Sequence, residues 1–144
     1  MSFNYEQIPY GVIKTGAGEE LNKKTEIYKW LEKATHEDKR LSDTVVRCGE
    51  KEKLYSQKIC WDERVVQTLT AKKELFRGDE KTTISKQDII HAQTFPEDYD
   101  FIDHGLINVF YVCGMSVPPV MIKRIVMRLI EEGVFNYKLD TSTP

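Results

Sequence analysis

Apolar residues recur at three- and four-residue steps in three parts of the chain, with short β-branched runs between them. That mixture predicts helices laid against a small sheet. In residues 19–34, Leu21, Ile27, Trp30, Leu31 and Ala34 mark one face while Glu20 and Lys24 pair four apart on the other, so an amphipathic surface helix is expected. Before it, residues 10–14 (Tyr-Gly-Val-Ile-Lys) read as a short strand and residues 15–18 (Thr-Gly-Ala-Gly) as a turn. Residues 36–58 are dense in charge and poor in periodicity, with a strand expected only at Thr44, Val45 and Val46. The β-branched run at residues 64–70 predicts another strand, and residues 76–80 a turn.

Two further helices have readable starts. Ser85 caps the first, with Asp88 three residues on completing a capping box; Ile89, Ile90 and Ala92 supply its apolar contacts, and the chain leaves at Phe95 and Pro96, so the helix stops near Gln93. For the second, Ser116 is the expected N-cap and Pro118 sits in the first turn, where a missing N–H costs nothing. Val117, Met121, Ile125 and Leu129 form one stripe, widened by Val120, Ile122, Val126 and Ile130. Lys123, Arg124, Arg128, Glu131 and Glu132 face the other way, and Gly133 ends the helix.

Composition narrows the function classes. At 144 residues with 31% charged residues and a formal net charge of −2, the chain is one domain by length without the strongly basic surface of a sequence-independent nucleic-acid binder. Any such contact has to be local. Cys48, Cys60 and Cys113 are widely spaced with no Cys-x-x-Cys pair, which argues against structural zinc or a disulfide framework; all three are expected to be partly buried thiols in a reducing compartment. His36, His91 and His104 show no metal-ligand spacing, so no metal is expected. Gly16 and Gly18 invite a nucleotide-loop reading, but Leu21 stands where a third glycine would be, leaving a plain turn. The first ten residues do not resemble a signal peptide, and no apolar stretch approaches the roughly 20 residues a spanning helix needs, so a cytoplasmic protein without membrane attachment is expected.

The later part of the chain carries a family resemblance. DNA (cytosine-5) methyltransferases show the pattern Arg-x-Leu-Thr-x-x-Glu, an apolar helix, Gln-x-Phe-Pro-Asp-Asp-Tyr, a variable connection, and Gly-Asn-Ser-Val-Pro before a last helix. Here the matching residues are 82–88 (Thr-Thr-Ile-Ser-Lys-Gln-Asp), 93–101 (Gln-Thr-Phe-Pro-Glu-Asp-Tyr-Asp-Phe) and 110–118 (Phe-Tyr-Val-Cys-Gly-Met-Ser-Val-Pro), in the same order and spacing. Upstream, Thr68 and Leu69 resemble the Thr-Leu dipeptide of the family's target-recognition region, so the likeness spans residues 61–132. Two positions depart from it: the opening arginine falls on Thr82, and the asparagine after Gly114 is Met115.

The resemblance implies a mixed α/β fold like the C-terminal part of such an enzyme, with a short irregular sheet, surface helices and a closing amphipathic helix. Residues 1–83 would be a target-recognition-like region, and residues 84–144 the closing motifs and the helix that packs on a cofactor domain. It further implies that Gly114, Met115, Ser116 and Val117 lie near S-adenosylmethionine, a cofactor shared with a partner domain, and that Thr68 and Leu69 approach duplex DNA. Arg64, Lys72, Lys73, Arg77 and Lys81 are candidate phosphate contacts, although Asp62, Glu63, Glu74, Asp79 and Glu80 lie among them. The nucleophile of the family, a cysteine after proline, is missing: none of Pro9, Pro96, Pro118 and Pro119 precedes a cysteine, and no Glu-Asn-Val occurs. The expected role is therefore a C-terminal methyltransferase component in DNA methylation of the restriction-modification kind, active only with a catalytic N-terminal methyltransferase chain. The alternatives are a non-catalytic DNA-binding or interaction module, or an inactive truncated relic.

Overall fold

A buried ion pair on the fourth helix ties the N-terminal segment to the middle of the chain. Asp88, on the fourth helix, accepts from Arg77 Nη2 (2.6 Å), from the Tyr10 hydroxyl (2.6 Å) and from the Thr15 backbone N–H (2.7 Å). Around this knot the computed structural model describes residues 6–51, 56–72, 74–101 and 105–134. The elements in chain order are α1 (Tyr10–Ile13), α2 (Glu26–Lys33), α3 (Leu41–Arg47), β1 (Lys58–Cys60), β2 (Leu75–Arg77), β3 (Thr82–Thr83), α4 (Lys86–Ala92), α5 (Leu106–Met115) and α6 (Pro119–Glu131). The mixed α/β class expected from the sequence is observed.

The sheet has the order β1-β2-β3, with β1 parallel to β2 and β2 antiparallel to β3. Because side chains alternate across a strand, the sheet divides the interior in two. Leu75 and Cys60 point into a larger core with Tyr10, Leu69, Ile84, Ile89, Ile90, Phe101, Val109, Phe110 and Cys113. Ile59 and Phe76 point the other way, onto Leu31, Leu41 and Trp61 beneath α2 and α3. The larger core draws on residues from both sides of position 83.

Several local expectations change. Tyr10–Ile13 is one helical turn rather than a strand, because its backbone N–H groups at Tyr10 and Gly11 reach the carbonyls of Arg64 and Asp62 and no neighbouring strand is offered. The helix expected over residues 19–34 begins only at Glu26, capped by the Thr25 hydroxyl; Glu20 instead forms a bridge with Thr82. Thr44, Val45 and Val46 lie inside α3, where Thr44 and Val45 are fully buried and Asp43 Oδ2 accepts from the backbone N–H groups of Lys39 and Arg40. Packing and end-capping outweigh β-branching there. Phe76 and Arg77 are strand residues, so the turn starts at Gly78.

At the C-terminal end, α4 is capped as expected: Ser85 Oγ accepts from the Asp88 N–H, Asp88 accepts from the Ser85 N–H, and Gln93 ends the helix. The last helix starts later than expected, for Ser116 terminates α5 and Pro118 is the N-cap of α6, with Pro119 in the first turn. Gly133 follows its end with a φ of 70°, as a glycine after a helix does. Residues 108–131 together are long and apolar enough, by length and composition alone, to cross a membrane, which corrects the expectation of no such stretch. They form two helices interrupted at residues 116–118, and α5 commits Val109, Phe110 and Cys113 to the core. Cys48 is exposed rather than partly buried, while Cys60 and Cys113 are buried.

Candidate functional site

The Gln-x-Phe-Pro and Gly-x-Ser-Val-Pro segments meet in space. The buried side-chain amide of Gln93 donates to the carbonyl of Cys113, which also accepts from the Ser116 N–H and hydroxyl. Next to Gln93, Thr94 has a φ of 57°, a backbone conformation that costs a β-branched residue dearly, and its hydroxyl accepts from the Val120 N–H at 3.1 Å in the first turn of α6. A glycine there would relax the backbone and lose that anchor. Phe95, Tyr99 and Phe101 pack edge-on and tilted at centroid separations of 4.8–5.5 Å, closing the far side of the same loop.

Gly114 shows why a glycine stands in the last turn of α5. A Cβ on it would meet the Thr70 carbonyl carbon at 2.3 Å and the Ala71 nitrogen at 2.5 Å, so the end of α5 lies directly against the backbone that follows Thr68 and Leu69. The two sequence segments assigned to cofactor and to DNA are thus neighbours. Between them opens a pocket of about 340 Å³, lined by Val66, Gln67, Thr68 and Leu69 on one side, by Gly114, Ser116, Pro118 and Met121 on the other, and by Ala92 and Gln93 behind.

The expected site residues distribute unevenly. Gly114, Ser116, Thr68 and Leu69 border the pocket. Met115 and Val117, 67% and 51% exposed, turn outward to solvent. Leu69 belongs to the buried core, whereas Thr68 is exposed with its carbonyl held by Lys58 Nζ at 2.5 Å. The strand expected over residues 64–70 does not form. Among the described residues no backbone group of residues 65–70 pairs with another backbone group, and the run is held by side chains: Lys58 on Thr68, and Gln67 Nε2 on the carbonyls of Lys39 (2.6 Å) and Ile59 (3.3 Å).

Among the basic candidates, Arg64 lines a second, separate groove, Lys72 is exposed, and Lys81 sits on the β2–β3 turn with a φ of 56°. Lys73 lies outside the described residues, as does His104. Arg77 is not available to DNA, a correction to its place among the phosphate contacts: its side chain is 5% exposed and bound to Asp88, to the Tyr10 hydroxyl (2.8 Å) and to the carbonyls of Thr15 (2.8 Å) and Gly16 (3.1 Å). Sequence reading missed this network because Tyr10, Arg77 and Asp88 are distant along the chain. Burial and the Asp88 charge push the Tyr10 phenol far above its ordinary value, while hydrogen bonds from Thr15, Tyr10, Arg77 and Ser85 overcome burial and hold the Asp88 carboxyl below the usual range.

A model of C-5 cytosine-specific DNA methylases matches residues 5–131. The chain belongs to that family. No curated protein and no solved structure matches it. Membership makes this a methyltransferase-related chain in the sphere of DNA methylation, in a family that uses S-adenosylmethionine. Within the methylase pattern, the acidic residue that ends the first segment is Asp88, and the guanidinium that pairs with it comes from Arg77, the partner of Thr82 across β2 and β3. The match extends upstream of the segments singled out in the sequence to include α1, which supplies Tyr10 to the same network. Among the described residues there is no group of three or more His, Cys, Asp or Glu side chains arranged to hold a metal ion.

Proposed function

We propose that this methylase chain is the C-terminal component of a DNA (cytosine-5) methyltransferase whose nucleophile comes from a partner chain. Its pocket forms one wall of the S-adenosylmethionine site, and its recognition segment places duplex DNA beside that wall. The observation that carries the reading is the direct contact of Gly114 with the backbone at Thr70 and Ala71, which puts the Thr68 and Leu69 segment and the Ser116 loop around one opening.

The residues present fit part of the cofactor. A pocket of about 340 Å³ is at the small end for a site that buries a drug-sized ligand, and its lining mixes apolar Val66, Leu69, Ala92, Pro118 and Met121 with polar Gln67, Thr68, Gln93 and Ser116. Ser116 has already donated its hydroxyl proton to Cys113, so toward a ligand its oxygen acts as an acceptor. Gln93 holds the loop by donating one amide N–H to the Cys113 carbonyl. When bound, the cofactor supplies the transferable methyl group; this chain closes and orients its pocket.

Helix α6 supports the need for a partner. None of its residues is buried, and Val120, Met121, Ile122, Val126, Met127 and Ile130 are each 36–50% exposed. An apolar surface of that extent on a helix tethered at its first turn is characteristic of an interaction face. The occupant is the catalytic chain's cofactor domain, in a reducing cytoplasm that suits three free thiols. The test mixes this chain with an N-terminal methyltransferase chain carrying Pro-Cys and Glu-Asn-Val and follows labelled methyl transfer to duplex DNA. Activity is expected from the mixture alone. No gain on mixing overturns the two-chain enzyme; duplex binding without cofactor-dependent activity would then favour a non-catalytic module.

A further inference from the structure

A second groove of about 680 Å³ opens beside Val65 and Gln67. Lys39 and Arg64 line it together with Gln7, Val65 and Gln67. Both cations are fixed at the backbone, and neither side chain is held by a close ion pair among the described residues. The Lys39 N–H donates to Asp43, and its carbonyl accepts from the Ile59 N–H and from Gln67; no carboxylate pairs with its ammonium among the described residues. Arg64 is pinned by bonds from its carbonyl to the Tyr10 N–H (2.7 Å) and from its N–H to the Trp61 carbonyl (3.0 Å), while its guanidinium reaches only the Glu37 carbonyl at 3.5 Å and Glu63 at 3.9 Å. Glu63, the one carboxylate on the lining, is hydrogen-bonded to His36 at 2.8 Å.

Residues 65–70 make no backbone–backbone hydrogen bond among the described residues, and Val65 and Gln67 of this run line the groove. Gln67 lines both openings. Cations whose backbone is fixed are contacts by which proteins hold a sugar–phosphate backbone and set its register without reading bases.

Resting on the proposed function, we propose that this groove holds the sugar–phosphate backbone of one DNA strand, with Lys39 and Arg64 as its phosphate contacts, and leads that strand over Gln67 toward the pocket at Gly114. Lys39 becomes a DNA-positioning residue, and Lys72 and Lys81, which do not line the groove, are secondary to it.

The experiment measures binding of a fluorescent duplex to the full chain as a function of salt, for the wild type, for Lys39→Glu with Arg64→Glu, and for Lys23→Glu with Lys24→Glu, a pair of exposed lysines matched in charge. The groove pair is expected to lose about tenfold or more in affinity and to lower the salt slope by about 2, one for each phosphate contact, with the control near the wild type. Thermal melting of each variant shows that it is folded. Equal losses in both pairs, or no loss in the groove pair while the wild type binds, overturn the groove's role but leave the proposed function standing. A wild type that binds no duplex, alone or with its partner chain, removes both.

Discussion

Arg77 stands directly across the β2–β3 pair from Thr82, the position where the methylase pattern carries an arginine, and its guanidinium reaches Asp88 at 2.6 Å. The charge required at that point of the fold comes from the facing strand. With side chains 5% and 0% exposed, the pair is buried, and removing one partner strands the other. Asp88→Asn or Arg77→Met should cost about 3–5 kcal/mol in urea unfolding. The Asp88 carboxyl titrates below its ordinary 3.8, so its stabilisation is complete above that value and is lost as pH falls through the lower folded-state value. Asp88→Asn should flatten that part of the acid limb; an unchanged acid limb would show that the pair does not stabilise the fold.

Gly114→Ala forces a methyl group into the backbone of Thr70 and Ala71, a contact that only main-chain movement relieves. Overpacking of this kind costs about 1–3 kcal/mol. Activity with a partner chain should fall further than stability, because the displaced segments are the two walls of the pocket. The comparison is the unfolding midpoint against methyl transfer at a temperature where the variant is fully folded.

Thiol reactivity should separate the cysteines cleanly. Burial pushes the Cys60 thiol up to about 12 and the Cys113 thiol up to about 11, while Cys48 is exposed. Near neutral pH the native protein should therefore show one fast-reacting thiol, and all three only after denaturation. Rapid labelling of Cys113 would mean that the α4–α5 contact opens in solution.

His36 lies flat on Trp61 at a centroid distance of 4.3 Å, with Nδ1 2.8 Å from Glu63 and Nε2 3.4 Å from Asp79. The Glu63 hydrogen bond raises its pKa above the ordinary 6.5. The stabilisation from the charged ring is thus fully present below 6.5 and is lost as pH rises through the higher folded value. A ring-proton titration should place the midpoint above 6.5, and Glu63→Gln should move it down. A midpoint at or below 6.5 in the wild type would rule out the ion pair in solution.

What the chain's own order of residues determined was local chemistry and kinship. The Ser85 and Asp88 box, the stop at Gln93, the glycine after α6 and the methylase segments were readable because each depends on neighbours within a few positions. Tertiary structure decided the rest. Thr44 and Val45 became helical because α3 buries them, and residues 64–70 stayed outside the sheet because no strand lay alongside to complete a ladder. The Arg77–Asp88 pair, the contact of Gly114 with Thr70 and the division of the basic residues between turn, groove and core depend on long-range closure. A pattern of residue types can specify which groups must be paired or buried; only the folded chain brings the partners to them.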